Sequence, residues 1–149
     1  MINKKIIYDD LVHNLNEKLN SIQFLISSAI DSRDLDTKSS AGDKHETSRA
    51  KVQSDIENYL KQKVNIIEKL QVLSSININQ KNNKVENGAL VQTNFGFFFI
   101  AIGLGKFCVE NEEFFVISLV SPIGKFMKDK IESSSFKFRS LSYDILKIT

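Results

Sequence analysis

The chain has 149 residues, 42% of them hydrophobic and 26% charged, and a net charge of +2. That length suits one ordinary domain or two small ones, and the composition excludes a wholly disordered chain or a collagen-like repeat. The longest apolar stretch, Phe95 to Leu104, is about half the ~20 residues a membrane helix needs, and glycines interrupt it. The basic start, Met1 to Lys5, leads to Asp9 and Asp10 rather than to a secretory apolar run, so a cytoplasmic chain without membrane attachment is expected. The single cysteine, Cys108, forms no internal disulfide and reads as a small buried hydrophobe among Phe and Val. Two histidines, His13 and His45, leave little room for a Ser-His-Asp triad or a His-based metal site. Lysines number 17 and arginines three (Arg33, Arg49, Arg139), which argues against a large nucleic-acid-gripping face.

From residue 1 to 87 the only glycine is Gly42 and there is no proline, so two long helices with one interruption are predicted. Before Gly42, Leu11, Leu15, Leu19, Ile22, Ile26 and Ala29 recur at helical spacing. After it, Val52, Ile56, Leu60, Val64, Ile67 and Leu70 form a second stripe. One apolar stripe per helix must be buried, and the simplest partner is the other stripe. The expectation is an antiparallel hairpin over residues 1–76, with arms at 6–35 and 46–75 and a tip near 36–46. The Asn-rich stretch 77–87 reads as a linker.

From Gly88 onward short runs alternate with turns, giving a β-rich domain over 88–149. Strands are predicted at 89–93, 97–103 and 114–120, with a closing hairpin of 136–139 and 142–148 joined near Ser140 and Leu141. In the last strand Tyr143, Ile145 and Lys147 alternate against Asp144, Leu146 and Ile148. Pro122 fits the first turn of a short helix. Eight of the eleven phenylalanines fall between Phe95 and Phe126, enough for an aromatic core, and Phe97 to Phe99 are expected in it.

The tip concentrates acidic residues: Asp31, Asp34, Asp36, Asp43 and Glu46. One reading is helix capping, with Asp43 as N-cap and Glu46 completing a capping box. The other is chemical. Carboxylates three apart on a first helical turn can point the same way, and such a pair is what proteins usually contribute to a Mg²⁺ site. His45 between them titrates near neutrality when unperturbed, and reads as an incidental polar residue.

Gly42-Asp43-Lys44-His45-Glu46 at the hairpin turn, and Ser121-Pro122-Ile123-Gly124-Lys125 before the closing strands, resemble the bacterial transcript-cleavage (Gre) factors over nearly the whole chain. The resemblance implies an α+β chain, with an antiparallel coiled coil followed by a small FKBP-like antiparallel β domain. It implies that RNA polymerase is the partner, bound through residues 121–125. The coiled coil would enter the polymerase secondary channel, reaching the RNA 3′ end only there. Asp43 and Glu46 would be the catalytic contribution, holding a Mg²⁺ jointly with polymerase so that backtracked RNA is hydrolysed by a two-metal route. The chain would then carry no cofactor or active site of its own and act as a monomer. The tip continues Thr47-Ser48-Arg49-Ala50, where the family has Asn-Ala-Glu-Tyr, which points to a divergent branch. Two alternatives are a channel-binding regulator that does not cleave and a plain coiled-coil interaction module.

Overall fold

The computed structural model describes residues 3–37 and 42–149, with the side chains of 36–37 and 42–46 outside the description. The elements are α1 (Lys4–Thr37), α2 (Gly42–Ser74), β1 (Leu90–Thr93), β2 (Gly96–Ile100), β3 (Gly105–Val109), β4 (Glu112–Ile117), α3 (Pro122–Met127), β5 (Ser135–Phe138) and β6 (Leu141–Ile148). A helical hairpin is thus followed by a six-stranded, mostly antiparallel sheet with one short helix, the α+β class expected. No described helix is long and apolar enough to cross a membrane. Two compact units divide the chain: His13–Leu70, and Met1–Val12 with Gln71–Thr149.

In the His13–Leu70 unit, α1 turns Leu15, Leu19, Ile22, Ile26, Ala29 and Arg33 inward, each buried or half-buried. The steps alternate four and three, the period that keeps a stripe on one side of a helix. The α2 seam is Val52, Ile56, Tyr59, Lys63, Ile66 and Leu70, again in steps of four and three. This corrects the stripe read from the sequence. Leu60 and Val64 are 45% and 54% exposed, while Ile67 is half-buried beside the seam. The reason is geometric. Three successive four-residue steps at about 100° per residue carry the line about 120° around the helix, so the run 52-56-60-64 leaves the seam. Tyr59 and Lys63 take the inward positions, presenting long stems that can cover apolar surface. Replacing Ile56 by Ala should cost about 2–5 kcal/mol, whereas Leu60→Gln should change stability by less than about 0.5 kcal/mol. Urea unfolding monitored by helical circular dichroism measures both.

In the other unit the strand order is β3-β4-β2-β1-β6-β5. All neighbours run antiparallel except β2 and β4, whose parallel register pairs Phe97 with Phe114 and Phe99 with Val116. One face carries Val91, Phe98, Ile100, Tyr143, Ile145 and Ile148 against Met127 and Val85. Phe99 and Phe114, completely buried, fall on the opposite face by strand alternation. Phe98 stacks on Phe115 with centroids 5.2 Å apart, and Phe136 on Tyr143 at 5.0 Å. Phe98, Phe99, Phe114 and Phe136 therefore build core, as read from their density, whereas Phe95 and Phe126 of the same region are about half exposed.

Four details differ from the sequence reading. Strand β3 and its turn at Glu110 and Asn111 were not foreseen. Both turn residues adopt positive φ (49° and 66°), as do Arg139 and Ser140 (49° and 67°) in the β5–β6 turn. Two-residue hairpin turns favour glycine or asparagine at such positions, so the Glu-Asn turn lacks the usual glycine. Cys108 is exposed, contrary to expectation. It lies on edge strand β3, paired in register with Glu113. In β6 the alternation slips, because Gln92 pairs with Lys147 and Thr93 with Ile145, leaving Leu146 as an extra residue. Such a bulge exchanges the faces beyond it, so Ile148 is buried and Lys147 exposed. Finally, the stretch read as a linker contributes to the core: Val85 is fully buried, and its N–H and C=O pair with Lys130 and Asp129.

The start of α1 in this unit is fixed by an unusual lysine. Lys4 is 7% exposed, and its Nζ donates to Gln80 O at 2.5 Å and to Asn82 Oδ1 at 2.8 Å. Asn82 Nδ2 in turn donates to Glu86 Oε1 at 2.8 Å. Burial lowers the Lys4 pKa below its ordinary 10.5, and the Glu86 charge offsets part of that. The native state therefore releases this proton before the unfolded chain does. Unfolding then takes up a proton between the lowered value and 10.5, so this group's contribution to stability rises with pH across that window. Lys4→Met should flatten the alkaline rise, read from urea midpoints at increasing pH. Phe99→Ala should lower stability by about 3–5 kcal/mol, read in the same assay at neutral pH.

Candidate functional site

The hairpin turn carries the carboxylate pair. Asp43 falls in the first turn of α2, which begins at Gly42, and Glu46 opens the second. Their backbone positions, three apart, share one side of the helix. Negative charge is favoured at this end, where the unpaired N–H groups of the first turn lie. The helix begins before Asp43, so Asp43 lies within the first turn rather than ahead of it. That removes the N-cap reading of Asp43; the side chains of Asp43, His45 and Glu46 lie outside the described residues, and the metal-ligand reading rests on their spacing. Among the described residues no group of three His, Cys, Asp or Glu could hold a metal ion.

Beside the turn lies a feature the sequence reading missed. Arg33 of α1 and Arg49, Ala50 and Gln53 of α2 line one cleft of about 280 Å³. Arg33 Nη1 donates to Gln53 Oε1 across the hairpin at 2.9 Å, and Arg33 Nε lies 3.5 Å from Asp34 Oδ1. Two of the three arginines thus share a cleft. Arg33 and Gln53 are twenty positions apart, on different helices, and only the pairing of the helices brings them together.

The second predicted segment, Ser121 to Lys125, is built around the start of α3. Ser121 is the N-cap, its Oγ accepting from Gly124 N at 3.1 Å and donating to Ser118 O at 2.6 Å. Pro122 takes the first helical turn, where its missing N–H costs no hydrogen bond. Gly124 is demanded by packing: a Cβ there would lie 2.1 Å from Ser118 O. Ile123 packs against the core. Ser121, Ile123 and Gly124 therefore have local structural reasons, and within the segment Pro122 and Lys125 are the residues left exposed.

Sequence reasoning did not single out their neighbours. Val120 and Phe126 are 79% and 52% exposed. The Phe126 ring lies 5.7 Å from Phe138, over which Arg139 is placed at 5.1 Å. The result is a mixed apolar and basic surface of Phe126, Phe138 and Arg139, with exposed Lys125 next to Phe126 in α3 and exposed Val120 just before that helix. Exposed apolar residues rimmed by charge are a common feature of docking surfaces. Thermal unfolding should show Gly124→Ala costing about 1–3 kcal/mol by overpacking, and more than Ser121→Ala, whose lost cap is worth about 1 kcal/mol.

No family model, curated protein or solved structure matches this chain.

Proposed function

We propose that the chain is an RNA polymerase-binding transcription elongation factor that stimulates cleavage of backtracked RNA. The observation that carries the reading is the place of Asp43 and Glu46: about one helical turn apart, at the bend of a two-helix hairpin. The two helices have 34 and 33 residues, about 50 Å each, long enough to form a reaching arm. In this reading the two carboxylates supply oxygen ligands to a Mg²⁺ whose other ligands come from polymerase and RNA. A bound Mg²⁺ would supply activation of the attacking water, and Asp43 and Glu46 would contribute position and charge. The Val120–Phe126 surface, with Pro122 and Lys125, holds the polymerase.

A second reading, a channel-binding regulator that does not cleave, is favoured by one observation. After Glu46 the chain places Arg49 in one cleft with Arg33, so cationic groups accompany the acidic ones beside the turn.

The deciding measurement is RNA cleavage in a stalled, backtracked complex of the cognate polymerase at saturating factor. Asp43→Asn and Glu46→Gln should each abolish most of the stimulation while leaving binding unchanged. Asn keeps the size of Asp and removes its charge, so equal rates for wild type and Asp43→Asn would remove the pair from the cleavage chemistry. Absence of stimulation by wild type, with binding retained, would favour the regulator. Val120→Asp should weaken co-purification with polymerase at least tenfold without changing the unfolding midpoint, since the side chain is 79% exposed.

A further inference from the structure

The α1 seam runs Leu15, Leu19, Ile22, Ile26, Ala29, and its next position is not apolar but Arg33. Arg33 is half-buried there, and its Nη1 reaches across to Gln53 Oε1 at 2.9 Å. On α2, Gln53 directly follows the seam residue Val52. Apolar contacts specify that two helices touch, but a hydrocarbon stripe tolerates a slide of one helical step with little loss. A polar residue on a seam, bonded to one partner, resists it, because a slide breaks that bond; here Gln53 is exposed and Arg33 half-buried, so what a slide forfeits is the bond itself. We infer that Arg33 and Gln53 form a register clamp: positioning residues that fix how α1 and α2 align next to the turn, and so fix where the first turn of α2 is presented. The chain has few other means of doing this here. Ala29 offers little side chain to interlock, and Val52 is half-buried.

The clamp's role in cleavage rests on the function proposed above, but its existence does not, and the experiment separates the two. Full-length protein is compared with Arg33→Met, Gln53→Leu, the double variant and Gln53→Glu by residue-resolved amide hydrogen exchange. Either single change should speed exchange at the described amides 29–33 and 48–53 about fivefold, the worth of one hydrogen bond. The amides around Ile22 and Ile66 should keep their rates. The double variant should match the singles rather than compound them, as for partners in one interaction. Gln53→Glu, which keeps an acceptor for Arg33, should restore wild-type protection. Unchanged exchange in both singles, or effects that multiply in the double, would overturn the clamp. In the cleavage assay Gln53→Leu should lower the rate at saturating factor, leave the half-saturating concentration unchanged, and be rescued by Gln53→Glu. Altered exchange with an unaltered cleavage rate would overturn the positioning role and keep the clamp. A wild-type protein that stimulates no cleavage would sink the proposed function while the exchange data still judge the clamp.

Discussion

Each long helix has only a narrow apolar stripe, and each stripe must be covered along its length. Helices stripped of tertiary contacts are marginal in water, so the hairpin depends on two stripes keeping step over some twenty residues. The seam achieves this through strict alternation of four- and three-residue steps on both helices, even where that brings Tyr59 and Lys63 inward and leaves Leu60 and Val64 in solvent. Period has taken precedence over hydrophobicity at those positions. The cost is a line of aliphatic side chains on the outside of α2, and the gain is a contact that does not wind away from its partner.

This conflict also marks where the sequence could be read and where it could not. On α1 the apolar residues coincide with the four-three period, and Leu15 to Ala29 were legible directly. On α2 the most hydrophobic series diverges from that period at Leu60, and choosing by hydrophobicity selects the wrong side chains. In the sheet, strands dense in phenylalanine announced themselves. Strand β3, with Lys106 and Cys108 among its residues and no glycine in its turn, did not. The β6 bulge lies beyond a pattern argument because an alternating sequence carries no mark of where it will slip; the slip is set by pairing with β1.

Of the two candidate sites, the segment from Ser121 to Lys125 shows how a motif can have two kinds of reason at once. The serine, proline and glycine satisfy the demands of a six-residue helix whose start packs against the backbone of Ser118 and Leu119. The large exposed apolar side chains beside it are Val120 and Phe126, which nothing in the motif singles out. At the hairpin turn the carboxylate pair is a reading from spacing alone, and the Arg33–Gln53 bond left no mark in the sequence, since it joins two helices and has no sequence period.

The sheet ends in two edge strands, β3 on one side and β5 on the other. Unpaired strand edges invite a second chain to add its own strand, the first step of fibrous aggregation. Here each rim carries a deterrent. Lys106 is 71% exposed on β3, and Lys137 is exposed on β5 with Arg139 just beyond it. A strand docking on either rim would have to strip water from a cation. For a chain whose core strands are as rich in phenylalanine as β2 and β4, that placement of charge keeps colloidal solubility from depending on the core staying closed at every moment.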